Sequence, residues 1–397
     1  MVDGELTAYL GRGIERLVKD AFATSWHNPR EAAYLLRYTL AARRAQRKRV
    51  RLQRQGTAVP PFLIASITSS CNLQCKGCYA RANHICSDSA AKPFHSSEQN
   101  RFLAGGETNS IRNVKPLLSE KRWDELFCEA QTIGVSFILL AGGEPLLRRE
   151  VIQKAARHKD ILFPVFTNGT VLDDELLCLF DKNRNLVPVL SVEGDAACTD
   201  QRRGSGVYDK LTKTMAAFSQ KGMLFGVSVT VTTENIGAVT GNTFLQELKQ
   251  NGCRIVFYVE YVPADGVSEH LAPTDTEREQ LDHRLSALRR DGGDMLYLSF
   301  PGDEKSTGGC LAAGRGFFHI NPYGAAEPCP FSPYSDSSVA EGSLLAALKS
   351  PLFAGLKENG LVGGEHIGGC ALFLHEREVK ALCEQGATGD NGLRHNE

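Results

Sequence analysis

Between residues 62 and 263, short unbroken apolar runs alternate with longer amphipathic stretches. The runs are Phe62–Ile67, Ser136–Ala141, Phe163–Thr167, Val187–Val192, Leu224–Val231 and Arg254–Val262. Continuous hydrophobicity of this length fits strands covered on both faces, as in a parallel sheet. The segments between them, such as Lys121–Gly134 and Thr212–Lys221, place apolar residues at helical spacing. Six strand–helix repeats predict an α/β fold, either a partial (β/α)6 TIM-like barrel or a doubly wound sheet. In such barrels the chemistry gathers at the C-terminal ends of the strands.

The flanks break this rhythm. Residues 1–60 read as a helical, basic N-terminal segment, with Asn28-Pro29-Arg30-Glu31 as a helix start. Its basic run, Arg43 through Arg54, is either a solvated helix face or an electrostatic dock for an acidic partner or peptide. Gly56 and Pro60-Pro61 end it. Residues 61–265 form the core, with a long polar Gly/Ser-rich loop at 80–119 expected to cover part of the active site or to be disordered. Residues 266–300 read as a linker helix and the strand Met295–Phe300. Residues 301–384 read as a small, separate hairpin-plus-helix, Cys-containing domain, and 385–397 as a disordered tail.

Composition narrows the function classes. A net charge of −1 gives no electrostatic footprint for nucleic acid. Neither a membrane-length apolar run nor a signal-peptide core is present, so the expected setting is the cytoplasm. Twelve cysteines in a reducing compartment point to metal ligation before disulfides. Cys128, Cys178 and Cys253 fall in apolar or amphipathic stretches and are expected to be structural. Cys86 and Cys198 lie in polar loops and carry no signal of their own.

The chemistry concentrates in Thr68-Ser-Ser-Cys71-Asn-Leu-Gln-Cys75-Lys-Gly-Cys78-Tyr79, just past the first strand. Three cysteines this close can wrap one metal centre. A cubane [4Fe–4S] cluster takes four thiolates, so three local ligands leave one iron open for chemistry. The alternative is a zinc ion that borrows a distant ligand, although the spacing is not the paired arrangement of zinc ribbons.

Cys71-x3-Cys75-x2-Cys78 resembles the signature of the radical S-adenosylmethionine (SAM) superfamily. That resemblance implies a cluster whose open iron binds SAM, reductive cleavage to a 5′-deoxyadenosyl radical, hydrogen abstraction from a substrate, and a one-electron donor such as flavodoxin or ferredoxin. Gly77 stands where many members carry an aromatic residue, so Tyr79 becomes the candidate ring near the adenine. Gly142-Gly143-Glu144-Pro145, ending the second run, is similar to the family's GGEP motif. By resemblance Gly142, Gly143 and Glu144 hold the methionine amino group of SAM. The fourth run ends in Ser191-Val192-Glu193, and by analogy Ser191 and Glu193 lie at the SAM ribose or carboxylate. Arg203 either pairs with a carboxylate or caps a helix. The resemblance spans roughly residues 62–263.

A second cysteine set follows. Phe317–Ile320, the turn Asn321–Gly324 and Glu327–Cys329 read as a β-hairpin flanked by Cys310 and Cys329. This resembles the opening of a SPASM or twitch domain and implies one auxiliary iron–sulfur cluster on Cys310, Cys329 and Cys370, with Cys383 as a candidate fourth ligand. The alternative is structural zinc with His319 or His375. The substrate is expected to be a peptide, as in natural-product maturation, or a small molecule such as a tetrapyrrole or cofactor precursor. The reading from another class is a metal-binding protein without catalysis.

Overall fold

The computed structural model describes residues 28–83, 85–88, 116–291, 295–363 and 369–389. Among them run twelve strands: β1 (Phe62–Thr68), β2 (Ser70–Cys71), β3 (Ser87–Asp88), β4 (Phe137–Gly142), β5 (Phe163–Thr167), β6 (Leu186–Ser191), β7 (Gly226–Val231), β8 (Ile255–Glu260), β9 (Leu296–Phe300), β10 (His319–Ile320), β11 (Ala325–Glu327) and β12 (Ser337–Ser338). β2 and β3 pair with each other, and the rest form one sheet in the order β12-β11-β10-β1-β4-β5-β6-β7-β8-β9. From β10 to β9 every neighbour is parallel. The apolar runs became strands because helices cover their outer side. Trp123, Phe127 and Ala130 of the helix Glu120–Ile133, for example, are buried with Ile138, Leu140 and Phe163.

The sheet curls without closing. Phe166 of β5 and Phe257 of β8 have two strands between them, yet their rings meet at 5.2 Å. Phe300 at the end of β9 touches Phe317 (5.6 Å), which stacks on Phe62 of β1 (5.1 Å), which stacks on Phe137 of β4 (4.7 Å). Aromatic contact therefore bridges the gap between β9 and β1 where no ladder forms. Along β4, β8 and β9, buried positions alternate with half-buried ones. Such alternation marks strands with one packed face and one face lining an incompletely filled interior.

The helix Pro29–Arg54 covers the end of the barrel where the strands begin. Its Leu35, Tyr38, Ala41 and Ala42 pack with Val187, Leu224 and Ile255. Tyr38 Oη donates to Ser136 O (2.8 Å). Within the basic run Arg49 is buried, donating to Ser136 Oγ (2.9 Å) and Gly134 O, whereas Arg43, Arg44, Arg51 and Arg54 are exposed.

Several expectations change. Met295–Phe300 is not linker: β9 adds a seventh long strand to the barrel, since its alternating pattern suits an edge with one covered face. The C-terminal hairpin is not separate either, because His319 and Ile320 pair with Ile64 and Ala65 and extend the same sheet. The segment after the first cysteines contains a helical turn (Tyr79–Ala82) and β3; 84 and 89–115 lie outside the described residues. The last helix runs Glu376–Gly389, so 385–389 are helical, and 390–397 lie outside the described residues, as do 1–27. Cys253 is buried, but Cys128 and Cys178 are exposed, each on the outer side of an amphipathic helix.

The seat of the N-terminal helix makes a direct prediction. Gly134 has φ +94°, and a Cβ there would stand 2.5 Å from Ala45 O. Gly134→Ala combines left-handed strain with overpacking and should cost about 3 kcal/mol in urea denaturation. Gly56→Ala, at φ +84° with open space around it, should cost only about 1 kcal/mol.

Candidate active site

The C-terminal end of β1 is held by backbone. Gly143 N donates to Thr68 O (2.8 Å) and Glu144 N to Ser70 O (2.8 Å). Neither glycine tolerates a side chain. A Cβ at Gly142, where φ is +133°, would lie 2.4 Å from Thr68 O, and one at Gly143 would lie 2.1 Å from Ser70 O. The close approach expected of a ligand is thus made first by the strand that carries Cys71.

Glu144 is buried, and both of its oxygens face protein. Oε1 accepts from Thr167 Oγ1 (2.6 Å) and Leu146 N (3.0 Å), and Oε2 accepts from Asn168 N (2.8 Å). Burial pushes its carboxyl up to about 7. The side chain therefore ties the end of β4 to the end of β5 rather than reaching outward as the motif alone implied. Asn168 passes the link on: its Nδ2 donates to Asn72 Oδ1 (2.9 Å), and Asn72 Nδ2 donates to Thr170 Oγ1 (2.8 Å). The cysteine loop is thereby moored to a second strand end.

Cys71, Cys75 and Cys78 follow, half-buried and free of disulfides. Burial raises the Cys75 thiol, while the guanidiniums of Arg203 and Arg202 pull it down; Arg203 Nη1 lies 3.9 Å from Cys75 Sγ. Glu193 aims these arginines. It is buried, its Oε1 accepts from Arg203 Nε (2.9 Å), Arg203 Nη2 and Arg202 Nη1, and its Oε2 accepts from Thr230 N (3.1 Å). Lys76 N donates to Arg202 O (2.9 Å), fixing the loop to the same helix. Ser191 ends β6 half-buried, opposite Ser228 in register. Cys86, which carried no signal in the sequence, shares a hydrogen bond with Cys71 that holds the Cys71 thiol below its ordinary range.

Tyr261 was missed by the sequence reading. Gly77 adopts φ +62°, and a Cβ there would be 2.3 Å from Tyr261 Oη. The residue before the third cysteine is small because a ring from the end of β8 occupies that space. Tyr261 Oη is fixed by Ser268 Oγ (2.6 Å). The only available signal was the glycine standing where an aromatic residue is usual. Tyr79 turns the other way, its ring edge-on to Phe331 (4.9 Å) and its hydroxyl buried near Cys78 and Cys329.

The sequence profile of the Radical SAM superfamily matches residues 65–241. The chain is 25% identical over 316 residues to the AdoMet-dependent heme synthase of Methanosarcina barkeri, covering 72% of this chain and 81% of that protein. It is 23% identical over 301 residues to the sporulation killing factor maturation protein SkfB of Bacillus subtilis, covering 74% of this chain and 65% of that protein. Among solved structures, Streptococcus suis SuiB bound to S-adenosylmethionine shares the fold with a TM-score of 0.58 at 16% identity, covering 80% of this chain and 73% of that one.

Residues 65–241 of the chain thus read as a radical SAM domain.

A radical SAM barrel needs three thiolates and an open corner, and the donor set fits. Three free thiols stand at one mouth, and a cubane takes one thiolate per iron, so its ligands stand apart. Among the described residues no Cys, His, Asp or Glu trio converges tightly enough for one metal ion. The C-terminal cysteines assemble separately. Cys310 and Cys329 are buried and Cys370 is half-buried. Burial raises all three thiols; the charges of Cys310 and Cys370 act on Cys329, and that of Cys370 on Cys310. Cys383 sits elsewhere, near Asp336. His319 is buried between Glu327 Oε2 (2.7 Å from Nδ1) and Ser66 Oγ (2.8 Å from Nε2), so it braces the hairpin against β1. His375 is exposed beside Glu378.

Two predictions follow from the clasp. Gly143→Ala should retain native far-UV circular dichroism but lose most N-terminal-cluster iron on reconstitution, because Ser70 O must move. Glu144→Gln turns an amide N–H toward donors and should cost about 1–3 kcal/mol. The wild-type carboxyl is raised above its unfolded value of 4.5. Its contribution is complete below that value and is lost as pH rises through about 7, so the deficit of the variant in denaturant melts should narrow between pH 5 and pH 7.5.

Proposed function

We propose that Cys71, Cys75 and Cys78 hold a [4Fe–4S] cluster with one iron left to SAM, and that the chain abstracts hydrogen from an organic substrate at the mouth of its barrel. With SAM bound and one electron delivered by a flavodoxin- or ferredoxin-type donor, that group supplies a 5′-deoxyadenosyl radical. The observation that carries this is the convergence at one strand end of three free thiols, the Gly142–Gly143 clasp and the Arg203 guanidinium beside Cys75. The backbone of Gly142 and Gly143, with Ser191, borders the space for the methionine end of SAM. Tyr261 offers a ring, and Arg203, held by Glu193, favours negative charge at Cys75. Cys310, Cys329 and Cys370 hold an auxiliary iron–sulfur cluster.

For the substrate we favour a peptide with an acidic segment. Arg43, Arg47, Val50, Arg51 and Arg54 line a groove of about 660 Å³ on the N-terminal helix. It lies on the helix that plugs the starts of the strands, remote from Cys71, so it suits docking rather than reaction. SkfB, whose name marks it as a maturation protein, agrees with this reading. A tetrapyrrole is the second reading, favoured by the extent of likeness to a heme synthase and by the rings of Phe62, Phe137, Phe166 and Phe257 along the inner face. No described helix is long and apolar enough to cross a membrane.

Anaerobic reconstitution tests the core reading. Replacing any one of Cys71, Cys75 or Cys78 by Ala should remove about four irons and reduce 5′-deoxyadenosine release at least a hundredfold; undiminished release from Cys75→Ala would refute it. Mass spectrometry after turnover with an acidic precursor peptide, and separately with a carboxylated iron porphyrin, assigns the substrate class. Combined Arg47→Glu and Arg51→Glu should raise KM at least tenfold for the peptide and leave the porphyrin reaction unchanged.

A further inference from the structure

The cysteines assigned to the auxiliary cluster come from separate parts of the chain, and Cys370 arrives last, well past the hairpin beside Cys329. What fixes it is the C-terminal end of β8. Glu260, the last residue of β8, is 2% exposed. Its Oε2 accepts from Gly369 N (2.8 Å), the backbone donor immediately before Cys370, and from Arg278 Nε (2.9 Å) on the helix Asp275–Arg290. Gly369 adopts φ +73°, and a Cβ there would stand 3.1 Å from Arg278 Nη2, so the chain entering Cys370 lies against the ion pair. The turn Gly302–Thr307 that leads toward Cys310 crosses the same place: a Cβ at Gly302 would be 3.9 Å from Glu260 Oε1. The next residue, Tyr261, fills the space beside Gly77 of the first cysteine loop. One strand end thus touches the backbone of both cysteine sites.

A carboxylate buried in this position is costly on its own. Arg278 offsets its charge, yet a buried ion pair is no better for stability than an apolar pair of like volume. What it adds is direction, because a charged acceptor takes a short, aimed hydrogen bond from a backbone N–H. Here the N–H belongs to the residue before a thiolate ligand, and outer partners of this kind hold metal ligands in place elsewhere. Resting on the auxiliary-cluster reading above, we infer that Glu260 is a positioning residue of that cluster: through Gly369 it sets where Cys370 stands relative to β8. Arg278 aims the carboxylate. Glu260 acts through Cys370 and is not itself a ligand; its effect is on how firmly the third thiolate is presented.

The test uses the full chain with Cys71, Cys75 and Cys78 all replaced by Ala, so that only auxiliary iron is read. After anaerobic reconstitution about four irons per chain should remain; an iron-free protein would overturn the auxiliary-cluster reading and this inference with it. Two further substitutions in that parent separate reach from charge. Glu260→Asp keeps the charge beside Arg278 but withdraws the acceptor from Gly369 N by one methylene. Glu260→Gln keeps an acceptor at the same reach and gives up the charge. Glu260→Asp should lose iron to a ferrous chelator about tenfold faster than the parent and shift the electron paramagnetic resonance spectrum of the reduced cluster, whereas Glu260→Gln should stay close to the parent in both. Glu260→Asp that releases iron no faster than the parent, or Glu260→Gln that is as labile as Glu260→Asp, would overturn the positioning role while leaving the auxiliary cluster standing. An unchanged spectrum with a lowered melting temperature of the iron-free chain would mark a role in fold stability alone and overturn it as well. Both variants keep a polar group of nearly native size, so neither opens a large cavity.

Discussion

The site depends on two backbone hydrogen bonds, from Gly143 N to Thr68 O and from Glu144 N to Ser70 O. They bend the tail of β1 across the end of β4 and launch Cys71 from a fixed point. The approach is too close for any Cβ, which is why two glycines stand together. The ordering is hierarchical. Glu144, unreachable by solvent, locks the same strand end to β5, Asn168 and Asn72 carry the lock to the cysteine loop, and Lys76 N fastens the far side of that loop to Arg202. A cysteine loop held on three sides keeps its own spacing by hydrogen bonds.

Much of the barrel was legible because a buried parallel strand has to be apolar along its length. The six runs match six of the observed strands to within two or three residues. The thiol triplet and its partner motif were legible because their chemistry demands fixed residue types at fixed spacing. What the sequence concealed was direction. Glu144 and Glu193 were read as facing a ligand, yet each is spent internally, one on Thr167 and Asn168, the other on Arg202 and Arg203. A carboxylate in a motif does not announce which of its neighbours will take its hydrogen bonds. Tyr261 was invisible for a related reason: its importance comes from what folds against it, Gly77.

The pairing of Glu193 with Arg203 also shows how the fold manages charge. A buried carboxylate alone would be costly, and a guanidinium beside a thiol alone would be mobile. One carboxylate shared by Arg202 and Arg203 holds both rigidly, and the remaining face of the Arg203 guanidinium meets Cys75 at 3.9 Å. The positive charge left over from the two arginines thus bears on the Cys75 thiol.

The same economy governs the relation between the two cysteine sites. Had the C-terminal region been a separate domain, their separation would vary with a linker. Instead β10 is laddered to β1, and His319 bridges Glu327 of β11 to Ser66 of β1. Tyr79, next to Cys78, packs its ring on Phe331, two residues past Cys329, while Asn83 Nδ2 donates to Pro330 O (3.3 Å). A ladder, a buried histidine hydrogen-bonded to both sides and an aromatic contact therefore span the same short interval. A fold that builds the second cysteine site onto the edge of the first site's own sheet sets their separation by covalent and hydrogen-bond geometry.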